Sequence, residues 1–300
     1  MLKHKAGLLV IGISRKFLKN TPAQKWLVVE KIFNFVYGFI KRELPTTIKF
    51  HGFPFEINLG DASLNPSLLD GSFERNEIMW LKERIVSRTR NQIDQIVFID
   101  IGANIGIYSV IIGSVNSNSK NVRVLSFEPD TRNMEKLKTN ISLNGLSNIE
   151  TFPMAVAAIN GQVRFVIEEN HGTNHISTDI DERSIEVPCK TLESIINTDV
   201  GLDFSSLIIK IDVEGFEGDI LNSSFSTLKH LQPDILFEVS GIKSIGGRTD
   251  TVTAIIELSS HYDHAILFDG GKLKFDDEAV REVQNLGSRT ANFALFNHEL

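Results

Sequence analysis

In the stretch "VFIDIGANIG", residues 97–106, Asp100 ends an apolar run and is followed by Gly102, Ala103, Asn104 and Gly106. The apolar run reads as a buried strand, and glycines after a strand let the backbone turn tightly and come close to something. The turn opens a helix, whose N-terminus favours a negative group. A second apolar run, "VRVLSFEPD", ends in Glu128, 22 residues after Gly106. A carboxylate at that distance suits the hydroxyls of a ribose. Each feature alone is common, but the order strand, acid, glycine turn, helix, strand, acid predicts a nucleoside-cofactor site.

The type of nucleoside follows from one slot. A dinucleotide loop wants G-x-G-x-x-G, so that backbone can lie against a pyrophosphate. Here the second glycine slot holds Asn104, and Ile107 holds the third. S-adenosylmethionine has no pyrophosphate and ends in an amino acid. Asp100 suits its ammonium, directly or through water, and the amides of the turn suit its carboxylate.

Different chemistry sits in "IIKIDVEGFEGDIL", residues 208–221. Lys210 and Asp212 alternate onto one side of a strand near its carboxyl end. Glu214 follows, Gly215 permits a turn, and Glu217 opens the next helix, where an acid is also tolerated for its own sake. Glu238 ends the following strand, "DILFEVS". Asp212, Glu214 or Glu238 can orient or deprotonate a hydroxyl, with Lys210 stabilising the alkoxide or steadying a carboxylate. Asp212 and Glu238 could also share a divalent ion, since hard cations take carboxylate oxygens, although a metal is the less favoured reading. His171 and His175, in the polar loop "ENHGTNHIS", are candidate acceptor contacts, as is Glu217. His261 and His264 are weaker candidates.

The elements that must hold these residues alternate. Apolar strands are predicted at 96–101, 122–127, 149–156, 207–213 and 234–239, with helices at 105–115 and 131–145. Such alternation predicts a mostly parallel sheet with helices on both faces. The tail, "HAILFD", "KLKF" and "NFALF", reads as further strands forming an antiparallel edge. Upstream, "FERNEIMWLKERI" reads as a helix, and residues 46–60 as a hairpin turning at Gly52 and Pro54.

"FIDIGANIGIYS", "SFEPD", "LKTNISLNGLSNI", "MAVAAINGQVRF", "KTLESII" and "IIKIDVEGFEGDIL" resemble, in order, the FkbM family of S-adenosylmethionine-dependent methyltransferases over roughly residues 70–296. The resemblance implies a class I methyltransferase fold (Rossmann-like), a seven-stranded sheet whose last strand is antiparallel. It also implies O-methylation, often of a sugar hydroxyl in a glycolipid, polysaccharide or natural product. Asp100, Gly102, Ala103, Asn104 and Gly106 match the family's cofactor loop, and Glu128 with Pro129 the ribose-binding segment. Asp130 and Asn133 fall at the edge of the adenosine pocket, and Ala155 in the segment bordering the adenine. Residues 71–300 are thus read as the methyltransferase domain and 1–70 as a basic helical extension with a hairpin.

Charge supports that division. Residues 1–49 carry a net +8, so the remainder carries −15 of the chain's −7. An acidic body argues against nucleic acid as a partner, since phosphate binding needs a basic surface. Residues 23–40 have helical periodicity, with Gln24, Glu30, Lys31, Asn34 and the following Lys41 and Arg42 on one face and Trp26, Val29, Ile32, Phe33, Val36 and Ile40 on the other. Such a helix packs on the domain or lies on an anionic membrane surface. The apolar run at 6–13 is too short to span a bilayer, and no small-residue cleavage site follows it. The lone Cys189 excludes an internal disulfide and a cysteine-rich zinc site. A cytoplasmic enzyme is expected, peripheral to the inner face of a membrane if the basic helix binds lipid. Two alternatives are an NAD-dependent sugar oxidoreductase, against which Asn104 counts, and a non-catalytic cofactor-binding scaffold, against which the acids at 100, 128 and 212 count.

Overall fold

The computed structural model describes residues 47–57, 65–88, 95–115, 121–167, 175–176, 184–201, 204–240, 249–269, 272–287 and 289–297. The helix read at 23–40, the apolar run at 6–13 and His171 lie outside the described residues. The chain divides into two compact units, with the boundary after Arg75.

The first unit contains the expected hairpin, β1 (Thr47–Phe50) and β2 (Phe53–Glu56). Its turn is His51–Gly52, both at positive φ. That is the turn whose twist suits two strands. Pro54 lies within β2 and not in the turn. A short helix, α1 (Asn65–Asp70), follows.

The second unit is built on an eight-stranded sheet. Its strands are β3 (Ile96–Ile101), β4 (Val122–Phe127), β5 (Ile149–Phe152), β10 (Ser206–Ile211), β11 (Asp234–Ser240), β12 (His264–Asp269), β13 (Lys272–Phe275) and β14 (Thr290–Phe296). They lie in the order β13-β12-β14-β11-β10-β3-β4-β5. All six residues of β3 are buried, because a central strand covered on both faces must be apolar throughout. β14 runs antiparallel to both its neighbours, β11 and β12. Without β13 this is the expected seven-stranded sheet with one antiparallel strand. β13 adds an eighth by folding back on β12 as a hairpin. The tail is therefore not simply an edge: β14 inserts between β11 and β12.

A second sheet, in the order β6-β9-β7-β8, comprises β6 (Ala155–Val156), β7 (Gly161–Val166), β8 (His175–Ile176) and β9 (Ser184–Lys190). The strand read as continuous over 149–156 is thus two strands in two sheets. Pro153 separates them, and it has no N–H to carry a ladder onward.

Helices flank the large sheet: α2 (Arg75–Arg88), α3 (Ile107–Gly113), α4 (Thr131–Leu143), α5 (Leu192–Ile195), α6 (Glu217–Ser223), α7 (Phe225–Leu231), α8 (Thr249–Ser259) and α9 (Asp276–Gln284). Among the described residues no helix is long and apolar enough to cross a membrane. At the amino end of β11, Asp234 is buried and accepts hydrogen bonds from Arg84 Nε at 2.8 Å and Arg88 Nη2 at 2.8 Å on α2. Arg84 also lies over the Phe296 ring, 4.6 Å from its centroid. Removing one partner leaves buried charge uncompensated. Asp234→Ala is therefore expected to lower the unfolding free energy by about 3–5 kcal/mol. Urea denaturation checks this, and a loss below about 1 kcal/mol would contradict it.

Candidate active site

In a doubly wound sheet, ligands bind beyond the carboxyl ends of the strands, where the chain reverses its direction of travel across the sheet. From β3 the chain moves outward to β4 and β5, then returns to place β10 on the other side of β3. The crevice therefore lies over β3 and β10, and both motifs singled out in the sequence end there.

The loop after β3 is held on all sides. The amides of Gly102 and Ala103 both donate to the Phe127 carbonyl at 3.0 Å, and Asn104 N donates to Glu128 Oε2 at 2.8 Å. Gly106 N donates to the Ala103 carbonyl, and Asn140 on α4 donates from Nδ2 to the Ile105 carbonyl at 2.8 Å. Amides expected to face a ligand's carboxylate are thus engaged within the chain. The two glycines also serve the fold. A Cβ on Gly102 would overlap the Asp212 carbonyl oxygen, and one on Gly106 would overlap Leu137. Both have positive φ. Gly102 is therefore where the cofactor loop presses against the loop after β10, and Asp212 N donates to the Ile101 carbonyl at 3.0 Å.

Glu128 is 5% exposed. Its Oε1 accepts from Asp130 N at 2.8 Å and its Oε2 from Asn104 N. Burial nevertheless pushes its carboxyl up to about 7, the backbone hydrogen bonds only partly offsetting it. With the Asn133 side chain donating as well, the carboxylate keeps one of its about four lone-pair sites for another donor. Asn104 is left-handed, at φ 50°, and its buried Oδ1 accepts no hydrogen bond among the described residues. A ligand bearing a diol and an ammonium fits this donor and acceptor set.

Asp100 is fully buried, and burial raises its carboxyl above the usual range. Its Oδ2 accepts from Ser109 Oγ at 2.5 Å, and Ser109 Oγ lies 2.8 Å from Ser126 Oγ. Asp100, Ser126 and Lys210 sit side by side in register on β3, β4 and β10. Asp100 lies beneath the loop, and its Oδ1, like Asn104 Oδ1, is buried and has no hydrogen-bond partner among the described residues. The reading of Asp130 is corrected. It is the N-cap of α4, accepting from Arg132 N at 2.8 Å and pairing with the Arg132 guanidinium. Its carboxylate is committed to the helix and not to a pocket edge. Pro129 links these two acids. Asn133 is buried on the first turn of α4, and a hydrogen bond from its side chain helps to hold Glu128 ionised. Ala155 pairs with Cys189 in the small sheet and packs with Ala157, Phe165 and Val187.

Lys210 and two acids of the second motif lie close together with Glu238. Lys210, 3% exposed, donates from Nζ to Asp212 Oδ2 at 2.9 Å and lies 4.7 Å over the centroid of the Tyr108 ring. Carboxylate oxygens of Asp212, Glu214 and Glu238 come within 4.8 Å of one another. That spacing would suit a divalent cation, yet close acids are common without one, and nothing else among the described residues at this site points to a metal. Glu217 departs from expectation. It is 2% exposed, and its Oε1 accepts from Val213 N at 3.0 Å, while Gly215 N lies 3.1 Å from Oε2. Burial raises it to about 7. Its carboxylate is folded back under the loop that carries Asp212 and Glu214, so it holds that loop and does not face an acceptor.

The backbone of His175 lies in β8, and His261 and His264 lie at the amino end of β12, away from the crevice. The sequence reading missed Tyr108, Ser109, Ser126 and Asn140. The polar positions inside the apolar runs "IYSVIIG" and "VRVLSF" were the available signal.

The methyltransferase FkbM domain family matches residues 100–281, which runs from Asp100 through every group in the crevice. The chain belongs to the FkbM methyltransferase family. Membership carries S-adenosylmethionine-dependent methylation in general as the family's chemistry, and the diol and ammonium acceptors fit that cofactor. No match is found among curated proteins. Solved structures similar in fold include an FkbM methyltransferase from Methylobacillus flagellatus KT, 14% identical, covering 89% of this chain and 59% of that one, TM-score 0.40. A human methyltransferase 10 domain containing protein is 12% identical over 90% of this chain and 98% of its own, TM-score 0.41. A precorrin-6y C5,15-methyltransferase from Geobacter metallireducens GS-15 is 12% identical over 72% and 87%, TM-score 0.36.

Proposed function

We propose that this FkbM-family chain is an S-adenosylmethionine-dependent O-methyltransferase whose acceptor is a hydroxyl, borne by a sugar of a glycan, glycolipid or natural product. The observation that carries the reading is the placement of Asp212 and Glu238 at adjacent strand ends beside the loop of Gly102, with Lys210 bonded to Asp212. When bound, the cofactor supplies a methyl group already activated on a sulfonium, which leaves as a neutral thioether. Glu128 holds the ribose hydroxyls, and Asn104 Oδ1 takes the ammonium. Asp100, through Ser109, fixes the strand end from which that loop departs. An aliphatic hydroxyl is a weak acid, so the chain must align it and take its proton as the new bond forms. Asp212 receives that proton. Glu238 orients the hydroxyl, Glu214 lines the same wall, and Lys210 keeps the Asp212 carboxylate in place. The carboxylates also suit a polyhydroxylated acceptor, whose neighbouring hydroxyls donate to them.

Titration calorimetry with S-adenosylhomocysteine and with NADH, followed by transfer of labelled methyl from S-adenosylmethionine to a panel of free and lipid-linked sugars, tests this. Tight S-adenosylhomocysteine binding and labelled methyl ether are expected. Binding of NADH alone points to a sugar oxidoreductase, and binding of neither points to a scaffold; both results overturn the proposal.

A further inference from the structure

Lys210 is the least expected charge in the crevice. It is almost completely buried, yet it lies between two carboxylates, Asp100 across the ladder and Asp212 two residues on. The Tyr108 ring covers it, which favours an ammonium held at that spot. Burying such a cation is costly unless it is paired, and hydrophobic side chains would fill the same space at less cost. The ion pair it makes is asymmetric: the Lys210 side chain is 4% exposed and that of Asp212 29%. The pair therefore reaches from the core to the crevice wall.

Resting on the proposed function above, we infer that Lys210 is a specificity-determining residue that balances Asp212 and so sets how strongly the protein prefers the charged cofactor over its neutral product. The cofactor's sulfur is positive before transfer and uncharged after it. The reacting methyl must lie between the cofactor loop and the proton acceptor, and at Gly102 that loop touches the Asp212 backbone. An unbalanced Asp212 carboxylate would attract the sulfonium in the ground state. Attraction that is lost as the sulfonium is neutralised slows transfer, because only interactions stronger in the transition state accelerate it. A paired Lys210 cancels most of that pull and leaves Asp212 as a proton acceptor.

The test is the ratio of dissociation constants for S-adenosylhomocysteine and S-adenosylmethionine, measured by calorimetry without acceptor, so that it does not depend on turnover. Lys210→Met should raise the ratio about tenfold and Asp212→Asn lower it about tenfold, the size of a unit-charge interaction at about 10 Å with an effective dielectric near ~20. The double variant, which removes the pair as a neutral unit, should return to within about threefold of the wild-type ratio. Damage to packing accumulates across a double variant, whereas charge cancels, so that return separates the two. Should Lys210→Met fail to fold, Asp212→Asn alone decides, since its side chain reaches the surface. A ratio unmoved in Asp212→Asn, or shifts of the same sign in both single variants, overturns the inference and leaves the proposed function standing. Wild-type protein that binds neither ligand overturns both.

Discussion

Asp212→Asn is expected to lower methyl transfer by about a thousandfold while leaving S-adenosylhomocysteine affinity within about twofold. The substitution keeps the shape and keeps an oxygen for Lys210 Nζ, which donates to Asp212 at 2.9 Å. The backbone contacts that join the two loops, Asp212 N to the Ile101 carbonyl and the Asp212 carbonyl against Gly102, do not involve the side chain. What is lost is the negative charge and the capacity to take a proton. In the proposed function the product is held by Glu128 and the loop of Asn104, on the other side of β3 from Asp212. Single-turnover transfer, with the acceptor found in the sugar panel, reads the chemical step apart from product release. A variant that retains a tenth or more of the wild-type rate would remove Asp212 from the role of proton acceptor, leaving Glu214 or Glu238 to be tested in the same way.

The central strands were legible because a strand buried on both faces has little choice of residue. β3 and β4 fall where the apolar runs of 96–101 and 122–127 place them. The tail was harder, because the position of β14 between β11 and β12 is a pairing between distant segments that no local pattern encodes. The split between β5 and β6 is written in the sequence as the missing donor of Pro153. At the site, strand-end reasoning brought Asp100, Glu128, Asp212 and Glu238 to one edge, since that rule depends only on topology. It failed where a side chain turns back on its own loop. Glu217 accepts from amides two and four residues earlier, and Asp130 caps the helix it precedes. Both are local satisfactions of backbone donors, which acids beside a helix start commonly provide. The glycines were read as room for a ligand. They are room for Asp212 and Leu137, since closeness between distant segments is fixed by packing. Ser109 and Ser126 needed the sheet register before they could be seen to meet Asp100.

Affinity for S-adenosylhomocysteine is expected to rise about tenfold from about pH 6 to about pH 8 and to flatten above, through Glu128. Burial raises the Glu128 carboxyl to about 7. In the free protein, such a group contributes stability that is present below its unfolded value of 4.5 and is lost as pH rises through about 7, because the charged form is then buried. The ligand reverses that preference. Ribose hydroxyls donate to the ionised carboxylate, so binding favours the deprotonated form and releases a proton from it. Affinity must then climb with pH until Glu128 is ionised in the free protein too. The ammonium and carboxylate of the ligand keep their charges across this window. Glu217 is raised to about 7 by the same cause, but it faces the Val213 and Gly215 amides, so it alters stability without meeting the ribose. Glu128→Gln separates the two. A glutamine must turn its NH2 toward either Asn104 N or Asp130 N, setting donor against donor. Its affinity should fall about tenfold to a hundredfold at about pH 8, the size of one lost hydrogen bond to a charged group, and its pH dependence should vanish. Wild-type affinity that is flat across the window, or a Glu128→Gln variant that keeps the full slope, would place the ribose elsewhere.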